Sequence, residues 1–243
     1  MRICMSFLAR GHVPTHYNYL VQSAIYHRLP GRISRALHEK GIREGPRHFK
    51  MFTFSRLYGD FTRDQEGLLF RDRAYLCFSS PLERVATEVY RSFLVDPVMR
   101  LDNAELMVEV MKVVEEPEFT SSTLVYTLSP ITVYRKSDDG IRYYSPYELE
   151  WGALVDLNAK RKYHALKGRY LKSGLQVRPL NAGLIRVKYK DNLIMAWKGE
   201  FQMRGPKSLQ RVVYEAGMGS KNSQGFGMIE VKGRRMRDLL SLE

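Results

Sequence analysis

The spacing of apolar residues switches between period two and period 3.6 in an order that recurs along the chain, and that order admits few folds. Ile3, Met5 and Phe7 alternate and predict a strand. After Pro14 and Thr15 a helix is expected, with Leu20, Val21, Ala24, Ile25 and Arg28 on one face. A short second helix, Ile33 to Glu39, stops at Gly41. The aromatic alternation of FKMFTFSRL at 49–57 predicts a strand, and GLLFRDRAYLCF at 67–78 another strand or a bent pair. Ser80 and Glu83 have capping-box spacing with Pro81 at the first helical position, ahead of a stripe formed by Leu82, Val85, Ala86, Val89, Phe93 and Leu94. Leu106, Val108, Val110 and Val113 then predict a strand.

The acidic, proline-containing stretch Glu115 to Glu118 reads as a boundary, and beyond it the element order repeats. Residues 122–136 are strand-like, and Asp138, Asp139 and Gly140 turn them back into Ile141 to Tyr144. Ser145, Pro146 and Glu148 suggest a second capping box before a helix that runs to about Leu166. Strand patterns fill 173–203, a short helix from Ser208 to Ala216 turns Leu209, Val212 and Val213 inward, and Phe226 to Val231 form a last strand. The expected fold is therefore α+β, two tandem ferredoxin-like (RRM-like, βαββαβ) domains at 1–118 and 119–243. The duplication rests on element order, since no residue-level repeat joins the halves.

A hydrophobic fraction of 44%, 12% of the chain being aromatic, supports a packed core and argues against disorder. The two cysteines, Cys4 and Cys77, form no CxxC pair; they are too few for a disulfide scaffold or a cysteine zinc site and fit a reducing cytosol. No apolar run approaches the roughly 18–20 residues that span a bilayer, and the N-terminus enters an alternating pattern rather than a signal-peptide core. A cytoplasmic protein without membrane attachment is expected.

The net charge of +13 points to a polyanion. It is unevenly placed: residues 1–118 hold 17 Lys+Arg against 15 Asp+Glu, whereas residues 119–243 hold 22 against 11. The densest cluster is Lys160, Arg161, Lys162, His164, Lys167, Arg169 and Lys172, interleaved with Tyr163 and Tyr170. Such a run suits either a solvated helix face or a nucleic-acid surface.

Four glycines fall within eleven residues at Gly217, Gly219, Gly225 and Gly227, enclosing Ser220, Lys221, Asn222, Ser223 and Gln224. Glycines can take positive φ and expose backbone N–H groups that cradle phosphate, with Lys221 adding charge; close packing is the competing use. A dinucleotide loop follows a strand and opens a helix, whereas this one follows a helix and opens a strand. No GxxxxGK[ST] is present either.

The GxGxxxxxGFG pattern, with SAIYHRL, LHEKG, KMFTFSRL and LSPITV (128–133), resembles the CRISPR repeat-processing endoribonucleases across nearly the whole chain. The resemblance implies two ferredoxin-like domains and metal-independent cleavage of precursor CRISPR RNA within its repeats. It implies no cofactor, and repeat RNA, precursor and processed, as partner, with effector-complex subunits as further candidates. Monomer and homodimer are both compatible with it.

By the same resemblance the catalytic residues would be Tyr26, His38 and Lys50, with His27 and His48 as neighbouring alternatives. RNA-binding residues would be Gly217, Gly219, Ser220, Lys221, Asn222, Ser223, Gln224 and Gly225, joined by Lys160, Arg161, Lys162 and Arg169 of the basic cluster. RNA carries its own nucleophile, the 2′-OH, so the enzyme must move two protons and stabilise a charged phosphorane. Histidine is suited to proton transfer near neutrality and lysine to the charge. The expected products are a 5′-hydroxyl and a 2′,3′-cyclic phosphate; the alternative is a non-catalytic repeat-RNA-binding protein of the same fold.

Overall fold

The computed structural model describes residues 1–234 and Leu240; the remaining residues of the expected 119–243 unit lie outside the described set. In chain order the first half contains β1 (Arg2–Arg10), α1 (Asn18–His27), α2 (Gly31–Arg35) and a π-helical turn (Ala36–Lys40). There follow β2 (Ile42–Glu44), β3 (Arg47–Phe49), β4 (Thr53–Phe54), β5 (Phe61–Arg63), β6 (Leu68–Phe70) and β7 (Arg73–Ser79). Helix α3 (Glu83–Val95), β8 (Val98–Leu101) and β9 (Ala104–Val114) complete it. The second half contains β10 (Ser122–Thr127), β11 (Tyr134–Ser137), β12 (Gly140–Tyr143), α4 (Leu149–Lys167), β13 (Gln176–Tyr189), β14 (Asn192–Arg204), α5 (Lys207–Ala216) and β15 (Ile229–Val231).

Two antiparallel sheets, ordered β4-β7-β1-β9-β8 and β13-β14-β10-β15, make a mixed α+β architecture of duplicated sheet-and-helix units. Among the described residues three separate hairpins, β2–β3, β5–β6 and β11–β12, decorate them. Each unit has its own apolar core, around Phe7, Phe52, Phe78 and Val89 in the first and Trp151, Phe201, Leu209 and Val213 in the second.

Strand β1 is buried on both faces, because the second unit covers the face that the helices do not. Ile3, Met5 and Phe7 point into the first core as their alternation requires, while Cys4 joins Cys77, Leu128 and Met228 in a separate cluster. On that second face Arg2 donates to Glu230 Oε2 at 2.7 Å and to the Tyr214 carbonyl at 2.6 Å, an almost fully buried ion pair between the units. Cys4 stands opposite Cys77 in the β1–β7 register and the two are disulfide-bonded. This corrects the inference drawn from the cysteine count: one cross-strand bridge exists, so the count carries no argument for a reducing compartment.

Several boundaries also differ from expectation. Helix α1 begins at Asn18, not at Pro14. The Ser80–Glu83 capping box does not form; Ser80 Oγ donates to the Met51 carbonyl and accepts from Leu82 N, and α3 starts with Leu82 as its uncapped N-cap. Leu94, counted in the stripe, lies in the last turn of α3 and is 64% exposed. In the second capping box only the reach-back bond is made at normal length, from Ser145 N to Glu148 Oε2 at 2.6 Å, and α4 begins at Leu149. Among the described residues no helix is long and apolar enough to cross a membrane.

Candidate active site

The three residues singled out for catalysis lie in one group. Tyr26 is on the last turn of α1, His38 in the π-helical turn, and Lys50 directly after β3. The Tyr26 ring meets His38 edge-on at 5.3 Å between centroids and Phe52 at 5.6 Å. Lys50 Nζ donates to the His38 backbone carbonyl. Helices tolerate π turns mainly where function asks for them, and here the turn swings the exposed His38 ring onto Tyr26. Burial, with a smaller contribution from Tyr189, pushes the Tyr26 phenol well above its ordinary range, so the hydroxyl keeps its proton. Burial also pulls the Lys50 ammonium down.

The two alternative histidines separate clearly. His27 lines a shallow depression with Arg28, Pro30 and Arg91, apart from this group. His48 donates through Nδ1 to the Lys40 carbonyl at 2.6 Å, which leaves Nε2 as the free ring nitrogen. It lines a cavity of about 280 Å³ between the β2–β3 hairpin and the glycine loop, together with Arg47, Lys50, Tyr134, Lys162 and Ser220 to Gln224. Tyr26 and His38 are not in that lining; they stand beside it, joined through Lys50.

The glycines of the loop serve close packing, and Gly219 also lines the cavity. Gly217, Gly219, Gly225 and Gly227 all have positive φ and are buried. A Cβ on Gly225 would fall 2.5 Å from the Phe54 ring and 2.7 Å from Asn18 Nδ2. Those neighbours belong to the first unit, so the loop is pressed into the interface: Asn18 Nδ2 donates to the Gln224 carbonyl at 2.8 Å and Thr53 Oγ1 to the Phe226 carbonyl at 3.0 Å. On its own side the loop is braced by LSPITV, with Ser220 N donating to Thr132 O and Gly227 N to Pro130 O. What remains for a ligand is the half-exposed ridge of Ser220, Lys221, Ser223 and Gln224. Lys221 itself has positive φ, and its Nζ lies 5.0 Å from the Tyr134 ring centre. Among the described residues the backbone N–H groups of Lys221, Asn222 and Ser223 have no acceptor.

Part of the basic cluster is spent internally. Lys162, expected on the RNA surface, is 2% exposed and turned beneath the loop, where Nζ donates to Gly217 O (2.6 Å), Gly219 O (3.1 Å) and Asn222 Oδ1 (2.7 Å). Burial, with Arg47 adding to it, lowers its pKa to about 7. Asn222 is also committed, donating through Nδ2 to Met218 O and Phe226 O. Lys160 pairs with Asp156 one turn back at 2.9 Å. Arg161 lines a small recess beside Arg47 and Ser220, and Arg169 is exposed. The periodicity of α4 places Lys162 on the face of Trp151, Val155 and Ala159, so a residue that counts as basic in composition lies in the core.

Arg47 and Tyr134 were also missed. Arg47 sits in the β2–β3 hairpin, whose Gly45-Pro46 turn between Ile42 and Phe49 is a legible hairpin signal. Tyr134 opens β11, at the end of the LSPITV brace. Among the described residues no three His, Cys, Asp or Glu side chains gather as a metal site would need.

Comparison with known proteins points to one family. Residues 12–112 match the family model described as "CRISPR-associated protein Cas6, N-terminal", and residues 114–231 match "CRISPR associated protein Cas6, C-terminal". The chain is similar to the CRISPR-associated endoribonuclease Cas6 of Pyrococcus furiosus, 32% identical over 234 residues that cover 92% of this chain and 85% of that protein. It is also similar to CRISPR-associated endoribonuclease Cas6 1 of Methanocaldococcus jannaschii, at 27% identity over 89% of this chain and 86% of that one. In fold it matches a solved Cas6-related protein from Pyrococcus furiosus with a TM-score of 0.83, at 22% identity over 97% of this chain and 99% of the other.

Proposed function

Because the chain belongs to the Cas6 family of CRISPR-associated endoribonucleases, we propose that its interdomain cleft cuts precursor CRISPR RNA without metal, using Tyr26, His38 and Lys50. The observation that carries this reading is the grouping of the three side chains beside a cavity whose far wall is the glycine loop. The substrate supplies the nucleophile as its 2′-OH. His38 takes or returns a proton, a role that contributes about 10²–10⁴-fold in rate. Lys50, on the rim of the cavity, stabilises the charge that builds on the phosphorane. Tyr26 keeps its proton and so orients an oxygen as a donor instead of acting as base. In-line attack and loss of the 5′-oxygen leave a 2′,3′-cyclic phosphate and a 5′-hydroxyl.

We read the two units, 1–118 and 119–243, as ferredoxin-like βαββαβ folds decorated by hairpins. The matching order of β4-β7-β1-β9 and β13-β14-β10-β15 supports this, as does the family division near residue 113. The second unit grips the backbone through the ridge Ser220, Lys221, Ser223 and Gln224, with Arg161 and Arg169 adding charge. Among the described residues the N–H groups of Lys221, Asn222 and Ser223 have no acceptor, which suits phosphate. The reaction belongs in the cytoplasm, with the cut RNA passing to effector subunits.

His38→Ala separates cleavage from grip. Single-turnover cutting of a repeat RNA should fall by about 10²–10⁴-fold while binding stays near wild type. Unchanged cutting removes His38 from the mechanism.

A further inference from the structure

Among the described residues the β2–β3 hairpin pairs with no other strand, and a lone two-stranded hairpin is marginal in water. It nonetheless carries Arg47 and His48 into the cavity and leads directly to Lys50. Its orientation must therefore come from side chains. The register places Ile42 opposite Phe49 and Glu44 opposite Arg47 on one face, with Arg43 and His48 on the other. Ile42 and Phe49 fix the root of the hairpin, packing with Ala165 and Leu166 of α4 and with Ala216.

Near the tip the contact is polar. Glu44 Oε2 lies 2.5 Å from His164 Nδ1 on α4, and Glu44 Oε1 accepts the Tyr170 hydroxyl. The Tyr170 ring stacks on the His164 imidazole at 4.0 Å and 9°, so the two donors are held as one unit. The Tyr170 and His164 bonds hold the Glu44 carboxyl below its ordinary range, as expected for a carboxylate met by two donors. Two residues before His164, Lys162 holds the glycine loop from the same helix.

We propose that Glu44, with His164 and Tyr170, is a positioning residue for RNA cleavage, tying the hairpin that leads to Lys50 onto the helix that also holds the glycine loop. Helix α4 then sets the spacing of both cavity walls. The proposal rests on the catalytic assignment of Lys50, and the test keeps the two apart.

Single-turnover cleavage, repeat-RNA affinity and thermal midpoint are measured for Glu44→Ala, Glu44→Gln, His164→Ala with Tyr170→Phe, the triple combination, and Lys50→Ala. Glu44→Ala should lose about ten-fold in cleavage rate, the size of one charge-assisted hydrogen bond, with affinity and midpoint nearly unchanged. Glu44→Gln, which still accepts through Oε1, should recover part of the rate. The triple variant should be no slower than the His164→Ala/Tyr170→Phe pair, because the bridge is already broken. A wild-type rate in Glu44→Ala beside an inactive Lys50→Ala overturns the latch alone, as does a loss that tracks affinity or midpoint. An active Lys50→Ala overturns the catalytic assignment beneath it.

Discussion

Lys162 Nζ lies 2.7 Å from Asn222 Oδ1, underneath the loop that lines the cavity, and two further carbonyl oxygens accept from the same ammonium. A residue whose charge suggests RNA contact is thus an internal tether. Its position on the buried face of α4 couples the basic helix to the loop geometry.

Replacing Lys162 by Met keeps the volume and removes the donor, which orphans acceptors at Gly217, Gly219 and Asn222. The loss should be about 1–3 kcal/mol by chemical denaturation, with weaker repeat-RNA binding. The unfolded chain holds this proton into the ordinary lysine range, whereas the folded protein releases it near pH 7. Lys162 therefore makes wild-type stability rise as pH climbs from about 7 through that window, and Lys162→Met should lack that increment. Parallel stability-against-pH curves for the two proteins would contradict the assignment.

Tyr26 should act without titrating. Burial raises its phenol, so the hydroxyl stays protonated across the alkaline range in which cleavage can be assayed. Tyr26→Phe should slow the chemical step by about ten-fold or more, short of the loss for a proton-transfer group. Its pH–rate profile should keep the wild-type shape. An alkaline limb present in wild type and absent from the Phe variant would make Tyr26 the base.

Gly225→Ala tests whether the loop is docked as described. The new methyl would meet the Phe54 ring at 2.5 Å from a residue held at φ +82°. The expected cost is about 1–3 kcal/mol, accompanied by weaker RNA binding as the ridge shifts. Gly45→Ala is the matched control, since its positive φ carries strain but no atom lies within 4 Å of the added carbon. Equal losses at the two positions would mean that backbone strain, not interunit packing, explains the loop glycine.

Much of this architecture was legible in the sequence because periodicity survives folding. Ile3, Met5 and Phe7 face the first core as their alternation requires, and Leu209, Val212 and Val213 turn inward on α5. The unread parts depend on the partner across the interface. Arg2 and Cys4 occupy the face of β1 that a one-sided sheet would leave polar, and only the packed second unit explains the Arg2–Glu230 pair. The Cys4–Cys77 bridge needed the β1–β7 register, which residue counts do not contain. At the candidate site, a motif resemblance pointed to Tyr26, His38 and Lys50, with His48 as an alternative, whereas Arg47 and Tyr134 enter through hairpins whose orientation local sequence leaves open.

The central claim, cleavage by the substrate's own 2′-OH without metal, is tested most directly on paired repeat RNAs in excess EDTA. One is all-ribose and the other carries a single 2′-deoxy nucleotide before the cut. The account predicts that the all-ribose RNA is cut to a 2′,3′-cyclic phosphate and a 5′-hydroxyl, while the deoxy RNA binds and stays intact. Cleavage of the deoxy RNA, or loss of all cleavage in EDTA with recovery on adding a divalent cation, would contradict it.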